Sequence, residues 1–470
     1  MCRFVLFAVA LAGTLSTCAQ DVPANPDSPA LKQIPGLRDL PDRTEDLQAL
    51  IDANEGNLTL PAEKFVRITR PLIIDLQRHG AVSVRGVAGT TLIMDGPGPA
   101  IRLQGTHQGT ASPKSFRPET WNERMPLVSD LEILGAHPDA DGIELFRTVE
   151  PTLTRVAVRW CRHGIHLAER NRNVQISDCH LYENSGVGVY LDNVDLHQIN
   201  VCGCHISYNR QGGVVVRDGN VRNLQVSGCD IEGNMPDDET PTIAANILID
   251  LTGSADDASR SVAEISITGC TIQHAANYSG SEEKTVAPGG SNIRLAGKAV
   301  YPIDSVTITG NVLSDTTTNI DISYAHDIAV SANTFFAPKP NNLRVIESQR
   351  VVVSGNTFNP RQFQRPGTIL FRNCEDCVLS SSAIHRFETL DGAVILDGCS
   401  GMTLSALNLS DCGSGLVLTN TTDTTVIGCR VTRTSADHAD IRIDENSRRI
   451  QLIGNSFSGV TQVPPVSVKQ

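Results

Sequence analysis

Residues 174–191 read VQISDCHLYENSGVGVYL, and residues 199–216 repeat the pattern as INVCGCHISYNRQGGVVV. In each copy an apolar-x-apolar string comes first, and a single large apolar residue, Leu181 or Ile206, follows after a small polar turn. A third, glycine-containing string closes the unit. Such period-2 alternation in very short segments is typical of β-strands rather than helices. Each repeat therefore predicts three short strands.

The repeat extends along most of the chain. The last apolar residue of the first string recurs mostly every 22 to 26 residues, with one interval of 18 and two of 41. These reference positions are 133, 158, 176, 201, 226, 267, 308, 330, 353, 379, 404, 426 and 452. A fixed period of this size is typical of solenoids, in which each repeat contacts only its neighbours. We therefore predict an all-β parallel β-helix of about 13 or more coils with strands stacked ~4.8 Å apart.

Composition excludes several functional classes. The chain has 470 residues, is 40% hydrophobic and carries a net charge of −13, so a general attraction to nucleic acid is not expected. No apolar run reaches the ~18 to 20 residues that a membrane-spanning helix needs. We therefore expect neither a nucleic-acid-binding protein nor an integral membrane protein.

The N-terminus is typical of a secretory signal. Arg3 precedes an apolar stretch from Phe4 to Leu15 and small residues up to Ala19, which predicts a signal peptide at 1–19 and an exported protein. Cys18 also stands where a lipoprotein would be anchored, as the less favoured alternative. We expect a linker at 20–43, a single β-helix domain at 44–460 and a tail at 461–470.

Cysteine and asparagine share one slot of the repeat, three residues past the reference position. This slot contains Cys161, Cys179, Cys204, Cys229, Cys270, Asn311, Asn333, Asn356, Cys429 and Asn455. Stacking of buried side chains in an internal ladder explains the pattern, and the odd total of 13 cysteines argues against a complete disulfide framework. Cys374 and Cys377 form a lone CxxC pair, so no metal site and no cofactor are predicted.

The strings Val306–Asn311 and Gly164–Leu167 resemble those of the right-handed β-helix proteins of the pectin-lyase-like superfamily. Asp46–Ile51 resembles the helix that caps such coils, and Leu58–Pro61 the opening segment of the pectate-lyase-3 type. The resemblance covers roughly residues 40 to 460 and implies a right-handed β-helix with a substrate groove on the sheet of the third strands. A weaker resemblance, from Asn342 to Leu409, is to inulin fructotransferases.

Insertions locate the binding face of a repeat protein. Four stand out, at 104–126, 235–244, 252–263 and 275–291. The first and third follow third strands, whereas the other two precede third strands. All four are therefore expected to flank the same sheet and to wall a groove that binds a polysaccharide or oligosaccharide.

The middle position of each third strand should point outward into this groove. Read in chain order, this column is Arg102, Glu144, His166, Tyr190, Val215, Leu248, Arg294 and Asp321. Asp192, Arg217 and Asp250 close their strands at the groove edge. We predict catalytic roles for Glu144, His166, Tyr190, Asp192 and Arg217, and substrate binding by Arg102, Trp121, Asp250, Arg294 and Asp321.

Two kinds of chemistry suit these residues. Imidazole beside phenol, as in His166 and Tyr190, can remove and deliver a proton in β-elimination or epimerisation of a uronate, with an arginine neutralising the substrate carboxylate. Carboxylates such as Glu144 and Asp192 could instead serve a glycoside hydrolase or fructotransferase. The aspartate pair of polygalacturonases is replaced here by Cys161–Gly164. A non-catalytic carbohydrate-binding or surface-structural coil is the third alternative.

Two further columns lie on turns away from this groove. The first consists of His180, His205 and Asp230, and the second of Arg172, His197 and Arg222. We expect a structural or interface role for both.

Overall fold

The computed structural model describes residues 28–462, except 88, 110–111, 275–284, 361–365, 433, 435–437 and 459. Within them the chain winds as a right-handed parallel β-solenoid of about 15 turns. The predicted signal peptide with Cys18, residues 20–27 of the predicted linker, and residues 463–470 of the predicted tail lie outside the described residues.

Each coil contributes strands to three parallel stacks, which we call sheets A, B and C in chain order. Four long strands turn a corner and belong to two sheets: Leu127–Gly135 and Thr152–Arg159 to A and B, Ile165–Ser177 and Val187–Cys202 to C and the following A. The other strands of sheet A are Leu58–Thr59, Ser83–Arg85, Asn220–Ser227, Ser261–Thr268, Ile303–Thr309, Ala325–Ser331, Gln349–Ser354, Val378–Ser380, Thr403–Ser405, Thr422–Ile427 and Arg448–Ile453.

Sheet B lies between the other two along the chain. Its remaining strands are Phe65–Ile68, Thr91–Met94, His180–Tyr182, His205–Ser207, Asp230–Glu232, Thr271–Gln273, Val312–Ser314, Thr334–Phe336, Thr357–Phe358, Ala383–His385, Asn408–Ser410, Arg430–Thr432 and Ser456–Phe457. Those of sheet C are Leu72–Asp75, Gly98–Gln104, Ala140–Phe146, Gly212–Arg217, Ala245–Asp250, Ser291–Ala296, Thr318–Ser323, Asn341–Ile346, Thr368–Arg372, Val394–Asp397, Leu416–Thr419, Ala439–Ile443 and Val460–Gln462.

A helix caps the first coil, as the sequence predicts. It runs from Thr44 to Ala53 and buries Leu47 and Ile51 against the coil interior. The amide of Gln48 bonds both backbone groups of Ile73, at 2.9 and 3.0 Å. Because these groups lie in the first strand of sheet C, the contact covers backbone that an open edge would leave unpaired.

Part of the predicted linker packs onto the coil. A helix at Pro29–Gln33 and a 3₁₀ turn at Leu37–Asp39 bury Ala30 and Leu37 against the outer face of the first coils, where Ile93 lies. The remaining helical segments are Leu76–His79, Pro113–Ser115 and Pro118–Glu123.

One left-handed residue makes the tight corner between sheets A and B. Asp178, Gly203 and Gly228 occupy it with φ of 53°, 61° and 59°, which favours glycine or a short polar side chain. The next residue then enters the internal ladder. The ladder contains Leu131, Val156, Cys179, Cys204, Cys229, Cys270, Asn311, Asn333, Asn356, Ser382, Leu407, Cys429 and Asn455.

The predicted ladder is confirmed except at its start. Cys161 belongs to the corner between sheets B and C, where its N–H donates to Asn184. The error arose because reference positions 133 and 158 lie in sheet B: Val158 is in register with Leu181, not with Ile176. In these early coils the strand continues around the corner, so an apolar string from sheet B resembles one from sheet A. The 18-residue interval marks this change of sheet.

Candidate functional site

Sheet C brings the predicted column together. Arg102, Glu144, His166 and Tyr190 are consecutive partners in register, one coil apart. On each strand the flanking residues face inward: Ile165 and Leu167, for example, are fully buried while His166 between them is partly exposed. The alternation of a β-strand is therefore sufficient to point these side chains outward.

Two apolar residues divide the column. Val215 and Leu248 continue the register but are fully buried, in a cluster with Val187 and Ala245 against which Tyr190 packs. The outward face of sheet C is thus not one continuous polar groove. It has a polar group before this apolar cluster and a second polar group, at Arg294 and Asp321, after it.

The first polar group contains a compact set of titratable side chains that we call the groove cluster: His163, His166, Tyr190, Asp192 and Arg217. His166 Nε2 lies 3.3 Å from Asp192 Oδ2, and the Tyr190 hydroxyl donates to Asp192 Oδ1 at 3.0 Å. The rings of His166 and Tyr190 stack with centroids 5.5 Å apart. One carboxylate therefore holds both the imidazole and the phenol.

The electrostatics of the groove cluster favour an ionised Asp192 and a protonated Tyr190. The hydrogen bond from His166 holds the pKa of Asp192 below its usual range, against the opposing effect of burial. Burial, together with the charge of Asp192, raises the pKa of Tyr190 to about 12. Tyr190 is thus a proton donor over the whole neutral range, whereas the orienting carboxylate remains charged.

His163 is the member of the cluster that sequence reasoning missed. It lies two residues before the strand Ile165–Ser177, with its ring 4.9 Å from that of Tyr190 and 5.9 Å from that of His166. Its Nδ1 accepts the Val187 N–H at 3.1 Å, and burial lowers its pKa to about 4. The spacing His163-Gly-Ile-His166 was the available signal, since a residue just before a strand can lean over its outward face.

Arg217 closes its strand beside Asp192, with which it is in register. Its Nε is buried and has no hydrogen-bond partner among the residues that the structure describes. A buried guanidinium N–H without a partner is uncommon. It is expected where a ligand atom accepts the missing hydrogen bond.

Glu144 lies one coil before His166 and is already paired. Its carboxylate is 3.2 Å from Arg102, whose guanidinium also stacks on the ring of Phe146 at 4.6 Å. Asp250 is buried, and its carboxylate accepts hydrogen bonds from the N–H and hydroxyl of Thr252. Both carboxylates are therefore engaged within the protein.

Arg294 and Asp321 form the second polar group. Arg294 donates to the carbonyl oxygens of Ile243 and Gly289 and pairs with Asp321, which also binds Arg344 in a bidentate arrangement. Because Ile243 and Gly289 end the insertions 235–244 and 275–291, this contact favours an anchoring role for Arg294 over the predicted contact with substrate. Within the insertion 275–291, residues 275–284 lie outside the described residues.

Trp121 lies in the 3₁₀ segment Pro118–Glu123 and not on a strand of sheet C. It stacks on Phe116 at 4.6 Å within the insertion 104–126, and Phe116 in turn stacks on His107 at 4.6 Å. This aromatic stack covers the corner at which sheet C ends. Its predicted role in substrate binding therefore stays a prediction for the corner rather than for the centre of the groove.

Both predicted columns form, but the prediction that they lie on turns away from the groove is wrong, because the first lies on strands of sheet B and the second lies at the corner that borders sheet C. His180, His205 and Asp230 are in register on sheet B, with the two imidazole rings stacked at 4.9 Å. Arg172, His197 and Arg222 are in register where sheet C passes into sheet A.

Buried histidines predict a pH-dependent stability. Burial lowers the pKa of His107, His163 and His274 from 6.5 to about 4. Between pH 6.5 and 4 the unfolded chain binds more protons than the folded chain, so stability must fall as the pH falls. We expect the melting temperature to decrease steadily over that window, and the decrease to be smaller in His274→Gln than in His205→Gln, which replaces an exposed imidazole. Calorimetry giving equal slopes for the two variants would contradict this account.

Comparisons with known proteins agree with the fold. The family described as "Right handed beta helix region" matches residues 129–272, and the family described as "Periplasmic copper-binding protein (NosD)" matches residues 263–469. No curated protein matches. The chain is therefore a right-handed parallel β-helix protein, and the predicted fold is confirmed.

Solved structures with this fold are distant in sequence. ORF18 of Geobacillus virus E2 is 14% identical over 70% of this chain and 56% of its own, with a TM-score of 0.40. Tailspike protein 3 of bacteriophage CBA120 is 10% identical over 94% and 62%, with a TM-score of 0.41. The DFA-IIIase of Arthrobacter chlorophenolicus A6, without its lid, is 13% identical over 90% and 96%, with a TM-score of 0.38. The chain thus spans about three-fifths of the length of the first two.

The second family is named for copper binding, and the described residues do not form a donor set that fits this metal. The thiols of Cys374, Cys377 and Cys399 are buried in the coil and contact backbone carbonyl oxygens, as Cys374 does with Val345 at 3.3 Å. Across the described part of the chain, no group of three or more His, Cys, Asp or Glu side chains is arranged to hold a metal ion. Within the same residues, no helix is long and apolar enough to cross a membrane.

Proposed function

We propose that this chain is an exported enzyme that acts on an acidic polysaccharide by proton transfer at a uronate residue, as a lyase or an epimerase. The observation that carries the proposal is the carboxylate of Asp192, which is shared by His166 and Tyr190 on the open face of sheet C. The signal-like N-terminus and the match to a family of periplasmic proteins support export.

His166 is the proposed base. Its Nε2 faces Asp192, so the proton of the neutral ring belongs on Nε2 and the free electron pair on Nδ1. The carboxylate also stabilises the imidazolium that forms when Nδ1 accepts a proton, as in other carboxylate–imidazole pairs. The proton removed is the one on C5 of the uronate, next to its carboxylate.

Tyr190 is the proposed acid. With its pKa raised to about 12, the phenol keeps its proton until a more basic oxygen develops beside it. In elimination, the C5–H and C4–O4 bonds break, the C4–C5 double bond forms, and the phenol proton goes to O4. In epimerisation, the C4–O4 bond remains, and the proton returns to C5 from the opposite face.

Arg217 is proposed to bind the uronate carboxylate. Its charge would offset the negative charge that builds on that carboxylate as C5 loses its proton, and its Nε, which has no partner in the described part of the chain, offers a donor. The apolar cluster around Val215 and Leu248 holds the Tyr190 ring in place.

The hydrolase alternative receives less support from the same contacts. Glu144 is paired with Arg102, and Asp192 accepts from two donors and has a lowered pKa, which does not suit a general acid. A binding protein without catalysis would use the same groove but produce no product.

The test is a screen of purified protein on acidic and neutral glycans, followed both by the ultraviolet absorbance of unsaturated uronates and by the appearance of reducing ends. A lyase gives both signals together on acidic glycans. An epimerase gives neither, but changes the C5 configuration seen by NMR. Reducing ends without absorbance, or products from neutral glycans alone, would reject the proposal in favour of a hydrolase.

A further inference from the structure

A cavity lies at the corner where sheet C passes into sheet A, beside the groove cluster. We call it the corner pocket; its volume is about 440 Å³. It is lined by His107, Arg170, Asn171, Arg172, Asp195, Leu196, His197, Asn220, Arg222 and Ser259. Two of the predicted insertions close it, since His107 belongs to 104–126 and Ser259 to 252–263.

The lining carries an excess of positive charge. It includes three arginines and one aspartate, and Asp195 is already paired with Arg170 at 2.7 Å and bonded by Asn220 at 2.7 Å. Two carboxylates outside the lining act on the other arginines: Glu264 lies 3.4 Å from Arg222, and the charge of Glu150 acts on Arg172. The residues that line the cavity therefore include three guanidinium groups but only one carboxylate, within a chain whose net charge is −13.

Burial and the neighbouring arginines lower the pKa of the two histidines that line the corner pocket, His107 and His197. Burial and then the charges of Arg170 and Arg172 lower the pKa of His107 to about 4. The pKa of His197 is lowered by burial and by Arg172 and Arg222, with Glu264 opposing. A bound anion would relieve the repulsion among these cations.

Packing holds the side chains of the corner pocket in position. His107 is only 2% exposed, yet its Nδ1 has no hydrogen-bond partner among the residues described. Phe116 stacks on the His107 ring and lies under the buried guanidinium of Arg172, 5.1 Å from it, so both are held in position. A buried polar atom that lacks a hydrogen-bond partner among the described residues, in a cavity lined by three arginines, indicates a ligand that would form the missing hydrogen bond.

From these contacts we infer that the corner pocket binds an oxyanionic group, a carboxylate or sulfate, carried by a sugar unit of an acidic glycan. Arginine guanidinium groups match the planar geometry of such oxyanions. The strands Ile165–Ser177 and Val187–Cys202 pass both sites, and His166 and Arg170 are four residues and thus at most roughly 13 Å apart, because the strand bends between them at Glu169, where φ is 63°. One glycan could therefore occupy both. That the anion belongs to a sugar rests on the proposed function; the preference for an oxyanion does not.

The test is calorimetric titration with trigalacturonate, a neutral galactose trisaccharide and inorganic phosphate. The variant is Arg222→Gln, and the matched control is Arg449→Gln, an exposed arginine paired with Asp423 far along the coil. We expect trigalacturonate to bind the wild type and the control equally, and Arg222→Gln at least about tenfold more weakly, the worth of one charge-assisted hydrogen bond. We expect the neutral trisaccharide not to bind.

Equal binding by the two variants, or equal binding of the neutral trisaccharide, would overturn the inference. Binding of phosphate that depends on Arg222, without binding of trigalacturonate, would overturn the assignment to a sugar. Repeating the titration in His166→Ala separates the two proposals: if turnover is absent from every form but the Arg222-dependent binding persists, the proposed function fails and the corner pocket stands. If His166→Ala loses turnover while Arg222→Gln binds normally, the reverse holds.

Discussion

His166→Ala should lower kcat by ~10² to 10⁴-fold on the acidic glycan that the enzyme accepts, because that is the usual worth of a positioned general base. Tyr190→Phe should cause a loss of similar order, since it removes the proposed acid while keeping the ring against its apolar cluster. The matched control is His205→Ala, which removes an exposed, stacked imidazole from sheet B. Steady-state kinetics and melting curves of the three variants give the comparison.

The opposite pattern would identify different chemistry. If Glu144→Gln and Asp192→Asn abolish turnover while His166→Ala is mild, carboxylates carry the reaction and the enzyme is a hydrolase. If the variants His166→Ala, Tyr190→Phe, Glu144→Gln and Asp192→Asn all retain full activity, the site is not on sheet C. The histidine column of sheet B, at His180 and His205, is then the next candidate.

Cys204→Asp should destabilise the coil by about 3–5 kcal/mol, because it places an uncompensated charge in the buried ladder. Cys204 is 1% exposed, and its thiol lies 3.4 Å from the carbonyl oxygen of Cys202. The matched control is Cys204→Ser, since Ser382 occupies the same ladder slot in this chain and donates to the carbonyl of Ser380 at 2.8 Å. Denaturant unfolding monitored by circular dichroism measures both changes.

An unchanged midpoint for Cys204→Asp would mean that the slot is open to water and that the ladder is not internal. Thiol titration of unfolded, unreduced protein is an independent check. All 11 cysteines in the described residues are free thiols, so extensive disulfide bonding would contradict the structure.

Much of sheet C could be predicted from the sequence. A single outward position between two apolar residues, as at His166, leaves no choice of face on a strand, and the coil length then fixes which residues stack. The ladder at Cys204 and Cys229 could also be predicted. A repeat position that holds cysteine in some coils and asparagine in others must be buried and must lie close to backbone groups that can accept hydrogen bonds.

What could not be predicted depends on contacts between segments. The assignment of Cys161 failed because continuous strands around the early corners conceal which sheet an apolar string belongs to. Val215 and Leu248 are outward by alternation, but only the folded structure shows that they are buried together. His163 lies just outside its strand, and the pairing of insertions across the corner at His107 and Ser259 has no local signature.

Isotope exchange in D₂O measures directly whether the groove cluster removes the C5 proton of a uronate. Products of an acidic glycan are analysed by NMR and mass spectrometry after partial turnover. We expect loss of the C5 proton, either with a C4–C5 double bond or with deuterium at C5, and no such change with His166→Ala. Cleaved products that retain the C5 proton and carry no double bond would contradict it.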